Sequence, residues 1–312
     1  QVLVEWKAFL DIYVAQQVPQ IDSIVQMFAP ELFSEQFGAP LALPEVPFSD
    51  AASLEEARQG WEAQPRVKVI FDNGVGDEAA PGAPQGSFSQ EFSAWPPAAT
   101  SATRWYFQPD GSLAAEEPTV EDSASRFSHD PEAGARGTLA PGGDVWDNQP
   151  DYAYRQLEQG KAVAFEGATL EEDTVMIGSG SVDLWFQSTA EDADIEVNLM
   201  EIRPDGQEVY VQSGWLRATH RALAPGASEL YPMHTHLEGD SSPLPSGQWE
   251  SIRVELMPFA HVFRAGSRIR LAVDTPGDSR AEWRFENLVY EDNPEHSVAH
   301  SSSHASSLVL PV

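Results

Sequence analysis

The chain has 312 residues, 41% of them apolar, enough to bury a large core, and a formal charge of −31 from 49 acidic against 18 basic side chains. That charge repels nucleic acid and anionic membrane surfaces, and the absence of cysteine excludes disulfides and thiolate metal sites. The acidity is spread along the chain, with 10 acidic and 3 basic groups in residues 1–66 and 39 and 15 in the remainder. Lysine is limited to Lys7, Lys68 and Lys161. Such a surface suits high salt, where screening over roughly 3–10 Å relieves self-repulsion, and it also suits an ordinary acidic protein. No apolar run reaches the roughly 18 residues of a membrane span, and no leader-peptide pattern is visible.

The first residues place Val2, Leu3, Trp6, Phe9, Leu10 and Tyr13 at helical spacing, with Glu5, Lys7 and Asp11 between them. An apolar face of that strength needs a surface to cover, and the helix opens without a capping residue, so chain upstream of Gln1 is expected. A second helix is expected from Ile21 to Phe37, ending at Gly38, and a third from about Ser53 to Gln64, with Ser53 and Glu56 in capping-box spacing. A domain boundary is placed near Pro65, giving a helical segment of residues 1–66 and a β domain of residues 67–312.

From Val67 the apolar period becomes two. Val67, Val69 and Phe71 alternate first. Later sets are Val182, Leu184, Phe186; Ile195, Val197, Leu199; Ile252, Val254, Leu256; and Ile269, Leu271, Val273. Turn signals at Pro204-Asp205-Gly206, Pro225-Gly226 and Pro276-Gly277 separate these strands without helix-length patterns, which predicts antiparallel sheets packed as a jelly-roll β-sandwich. Residues 116–148 lack periodicity and read as a long ordered loop, and Asn293 to Ser307 reads as low in complexity.

A hydrolase nucleophile elbow, G-x-S-x-G, is absent. Gly178-Ser179-Gly180-Ser181 is the nearest in appearance, and its composition favours a turn. His234 and His236, with Glu238 and Asp240 nearby, could offer metal donors but lack a distant third ligand, so a hydrogen-bonded loop is the better reading. Glu191-Asp192-Ala193-Asp194 has hard oxygen donors for calcium, yet it sits where two strands need a solvated turn. Asp72-Asn73-Gly74 is a turn signal, and Trp61, Trp95, Trp105, Trp185 and Trp249 divide between core packing and a stacking platform. No residue is therefore assigned a catalytic, cofactor-binding or metal-ligating role, and no cofactor is expected.

Gly214–Leu223 (GWLRATHRAL) followed by Pro258–Leu271 (PFAHVFRAGSRIRL) resembles the C-terminal domain of X-Pro dipeptidyl-peptidases and cocaine esterase-like acyl hydrolases. Val67 to Gly74 with Trp95-Pro96-Pro97, Ser181 to Leu199, and the ending Ser307–Val312 agree in order, and Trp6–Ala15 is similar to the helix that follows the catalytic histidine in one branch. The family usually has histidine where this chain has Ser267. The resemblance implies a mainly β chain: a jelly roll preceded by a helical remnant of an α/β-hydrolase domain whose serine, acid and histidine lie upstream. It further implies that the domain walls the pocket for a small ester, amide or peptide substrate, packs on the hydrolase domain and often joins oligomer contacts. Arg217, Arg221 and Arg268 are then expected to be structural ion-pair partners. A stand-alone jelly-roll module binding carbohydrate or peptide is the alternative.

Overall fold

The computed structural model describes residues 2–38, 41–72, 85–135, 139, 142–144, 157–277 and 285–312. The chain divides into two compact units, one made of Gln1–Trp95 and the other of most of the residues from Pro96 onward.

In the first unit, α1 (Val2–Leu10) runs into a single π-helical stretch, Asp11–Ala15, which ends where Gln16 takes a left-handed conformation. The apolar residues of this segment divide between two faces. Val4, Ala8 and Ile12 are buried at a four-residue spacing, whereas Val2, Leu3, Trp6, Phe9 and Leu10 are all 45% or more exposed. Asp11 is buried with them because Lys7, Gln17 and the Gln20 amide satisfy its carboxylate. α2 (Ser23–Phe37) is capped by the Asp22 side chain, which accepts from the Ile24 amide, and stops at Gly38 with φ 74°. It tolerates Pro30 in its interior and exposes Ile24, Val25, Met27, Phe28 and Leu32. α3 (Leu54–Ala63) starts as the capping pattern predicts, with the Glu56 amide donating to Ser53 Oγ at 3.2 Å. The unit closes with an antiparallel pair, β1 (Val67–Phe71) and β2 (Phe88–Phe92), where Phe71 and Phe88 stack at 4.6 Å. Asp72 contacts Ser87 through its side chain; Asn73 and Gly74 lie outside the described residues.

The second unit contains β3 (Ala102–Phe107), β4 (Ser112–Ala114), β5 (Ala124–Ser128), β6 (Ala162–Gly167), β7 (Thr174–Ser188), β8 (Asp194–Ile202), β9 (Glu208–Arg217), β10 (Glu250–Phe263), β11 (Arg268–Asp274), β12 (Glu295–Ala299) and β13 (Ser307–Pro311). They form one hydrogen-bonded path, β5-β12-β7-β13-β3-β4-β6-β11-β8-β9, with β10 added along β7. All pairings are antiparallel except that of β4 with β6. The fold is therefore mainly β, with the α-helices of the described residues all in the first 63 positions.

The alternations identified from sequence form the centre of this unit. Val182, Leu184, Phe186, Ile195, Val197, Leu199, Ile252, Val254, Leu256, Ile269, Leu271 and Val273 belong to a single buried cluster. Two local expectations are corrected. Gly178 to Ser181 is not a turn but the middle of β7, where Gly178 (φ 146°) and Gly180 face the register slip between Leu256 and Phe259 of β10. A side chain on Gly180 would stand 2.8 Å from the Val309 carbonyl, so glycine here admits a close backbone neighbour rather than a bend. The supposed loop at 116–148 includes β5, and the low-complexity stretch includes β12; each has too few apolar residues to show a period. Among the described residues, no helix is long and apolar enough to cross a membrane.

Candidate functional site

Three segments singled out in the sequence converge on one cavity of about 250 Å³ in the second unit: Asp194 from the acidic stretch, Trp215 to His220 from the Gly214–Leu223 motif, and His236. Pro276, Phe285, Glu286 and Asn287 complete its lining.

The register of β8 against β9 builds the wall. Asp194 lies directly opposite Arg217 and Glu196 opposite Trp215. Arg217 grips Asp194 with two donors, Nε at 2.8 Å and Nη2 at 3.0 Å, while the Leu288 amide donates to the same carboxylate at 2.7 Å. Glu196 is fully buried and accepts from the Trp215 indole at 2.6 Å and from the Gly277 amide at 3.0 Å, which fixes the indole plane. Phe285 packs on that indole with ring centroids 5.5 Å apart, and Asn287 donates to the Pro276 carbonyl at 2.8 Å. The result is an aromatic wall held rigid by buried carboxylates. Burial, together with the Asp194 and Asp192 carboxylates, raises the Tyr290 hydroxyl above its usual range as it donates to the Asp192 carbonyl at 3.1 Å.

Asp192 and Asp194 are thus occupied by protein donors, since Asp192 also receives the Thr219 amide at 3.0 Å and the Thr219 hydroxyl at 2.9 Å. The acidic stretch shapes the motif loop. His234 is buried, and its ring lies 5.8 Å from that of His236, which adopts φ 50°. Burial lowers His234, and Glu238 and Asp240 fall in an exposed 3-10 turn. Among the described residues, no group of three or more His, Asp or Glu side chains is placed to hold a metal ion.

Each of the three arginines finds a carboxylate. Arg221 donates to Glu250 at 3.3 Å and also to the Ala218, Ser242 and Pro243 carbonyls, whereas the Arg268–Glu166 pair is half-buried. Of the five tryptophans, Trp61 packs on Phe9 and Phe48, Trp105 lies against the main core, Trp95 is exposed, and Trp185 and Trp249 meet at His304.

Ser181, the best-placed serine of the glycine-rich stretch, is fully buried and donates to the Glu229 carbonyl at 2.8 Å. Hydroxyls do touch imidazoles elsewhere: Ser188 with His296 at 3.1 Å, Ser125 with His300 at 3.0 Å, and Thr275 with His129 at 3.4 Å. The ring nitrogens facing away from these hydroxyls, His296 Nε2, His300 Nδ1 and His129 Nε2, have no hydrogen-bond partner, so none of the three completes a hydroxyl–imidazole–carboxylate relay. These buried histidines, like Glu196 and Phe285, escaped the sequence reading because no motif or apolar period marks them.

The second unit is thus a β domain with a buttressed aromatic cavity. The chain belongs to the family of X-Pro dipeptidyl-peptidase C-terminal non-catalytic domains, whose model matches residues 59–309. It is 29% identical over 227 residues to a candidate serine esterase of Mycobacterium bovis, a match that covers 70% of this chain and 34% of that protein. The chain thus spans about a third of that relative. Among solved structures, a CocE/NonD family hydrolase from Staphylococcus aureus matches with a TM-score of 0.57 at 20% identity, over 80% of this chain and 42% of that one. An α-amino acid ester hydrolase matches with a TM-score of 0.54 at 19% identity, over 74% and 42%. An aminopeptidase from a marine-sediment Thaumarchaeota archaeon matches with 0.58 at 16%, over 93% and 45%. At these identities the structural likeness concerns the fold.

Proposed function

We propose that this chain is the C-terminal, non-catalytic part of a serine hydrolase acting on small esters, amides or peptides, in which it walls the substrate pocket and steadies the hydrolase domain. In this reading residues 67–312 are a jelly roll, and residues 1–66 are the helical end of the hydrolase domain. The observation that carries it is the family match over residues 59–309, which contains every segment that lines the cavity. The exposed apolar side chains of α1 and α2 support the partner assignment, because contiguous apolar patches on a free surface mark interaction sites.

Two measurements test the reading. The 312-residue chain is expected to give no labelling with a fluorophosphonate probe; labelling of any of its serines would place a nucleophile here and end the proposal. In an enzyme that includes this chain, Trp215→Ala is expected to raise KM for an ester substrate by about tenfold with kcat changed less than about twofold, the signature of lost binding. An unchanged KM would remove the pocket-wall role.

A further inference from the structure

The two tryptophans that meet at His304 are not core residues. In β7, Val182, Leu184 and Phe186 point into the main core, so Asp183, Trp185 and Gln187 form the opposite face. Among the described residues, the partly buried apolar side chains packed against the core are Trp105, Leu170 and Val211, and neither Trp185 nor Trp249 is among them. Trp249 precedes β10, and His304 comes from the segment between β12 and β13. The His304 ring meets Trp185 edge-on at 4.7 Å and lies at 33° to Trp249 at 5.8 Å. All three rings are half-buried.

This outer face is polar around its rings and balanced in charge. Ser251 lies opposite Trp185 across the β10 pairing. Gln187 donates from its side-chain amide to the Gly247 carbonyl, and the Ser303 hydroxyl contacts His304 Nδ1 at 3.0 Å. Further along the row, Arg253 forks onto Asp183 at 2.6 and 3.1 Å, and Arg104 bridges Asp183 at 2.8 Å and Glu229 at 2.6 Å, two cations against two anions. A ligand suited to this face is uncharged, has flat C–H surfaces for the rings, and carries hydroxyls for the amide, imidazole and serine groups.

We propose that the Trp185–Trp249–His304 face is a binding site for a neutral saccharide, independent of the hydrolase reading. Anionic polymers are repelled by the chain's charge of −31, and the paired guanidiniums have no net charge to offer them.

The test is affinity electrophoresis of the 312-residue chain through gels containing β-glucan, galactomannan or amylose, with tryptophan fluorescence titration against the same polymers. Retardation in at least one gel is expected. Trp249→Ala and His304→Ala, each confirmed folded by circular dichroism, should weaken binding about tenfold, the loss expected for one ring contact. Trp95→Ala, which removes an exposed indole of the other unit, should leave it unchanged. Absence of retardation in all three gels would overturn the proposal. So would binding that survives both substitutions, or binding of a proline-rich peptide in place of every saccharide.

Discussion

Gly214→Ala is expected to lower stability by about 3 kcal/mol, or roughly 6–12 °C in Tm for a domain of this size, read by thermal melts. A methyl group there would collide with the Glu255 carbonyl of β10, a rigid backbone atom that cannot rotate away. The glycine that opens the family motif is thus an allowance for two strands in contact. Asp194→Asn tests the wall of the cavity. Arg217 is 41% exposed while Asp194 is nearly buried, so the loss should fall between that of a surface pair and a one-sided buried pair, about 2 kcal/mol in urea unfolding. Glu191→Gln, at an exposed neighbour, should change stability by less than about 0.5 kcal/mol. The motif, the acidic stretch and His236 were each legible as notable residues. Their convergence was not, because it depends on the β8–β9 register and on Phe285, which has no periodic neighbours.

The ribbon of β5 and β12 forms one end of the sheet path and holds a set of neutral histidines. His296 stacks on Phe186 at 5.3 Å and contacts Ser188, with His129 6.5 Å away and at right angles. Burial, reinforced by the nearby His129, pushes His296 down to about 4, and burial also lowers His129 and His300. Asp194 and Asp130 oppose the shift at His129, and Lys161 adds to it. An unfolded imidazole titrates near 6.5, so between about pH 6.5 and 4 the unfolded chain binds more protons and stability falls as pH drops. For His296 alone the loss is roughly 3 kcal/mol by pH 4, and His296→Phe should flatten this limb of the urea-midpoint profile. Long alternating strands such as β7, β8 and β10 could be read directly from the sequence. β5 and β12 could not, because the positions facing the core are filled by Ser125, Phe127, His296 and Val298, too mixed and too short a set to show a hydropathy period.

The net charge of −31 predicts a Tm that climbs with added NaCl as the screening length falls from about 10 to about 3 Å, read by scanning calorimetry between about 0.1 and 1 M salt. The family assignment was legible because GWLRATHRAL and PFAHVFRAGSRIRL are continuous in sequence, whereas the helical pattern of α1 did not show that Val4, Ala8 and Ile12 turn inward while Val2, Leu3 and Trp6 turn out. The placement of β13 has a consequence for synthesis. It follows the other described strands in sequence, yet it lies between β7 and β3 and separates the β5-β12-β7 side of the sheet from the β3-to-β9 side. On the ribosome the other described strands of this sheet emerge before it, so the nascent protein must keep a vacant slot in its middle until residues 307–311 arrive. Stalling before residue 307 would leave two half-sheets with bare facing edges, the form in which this polypeptide would most need a chaperone.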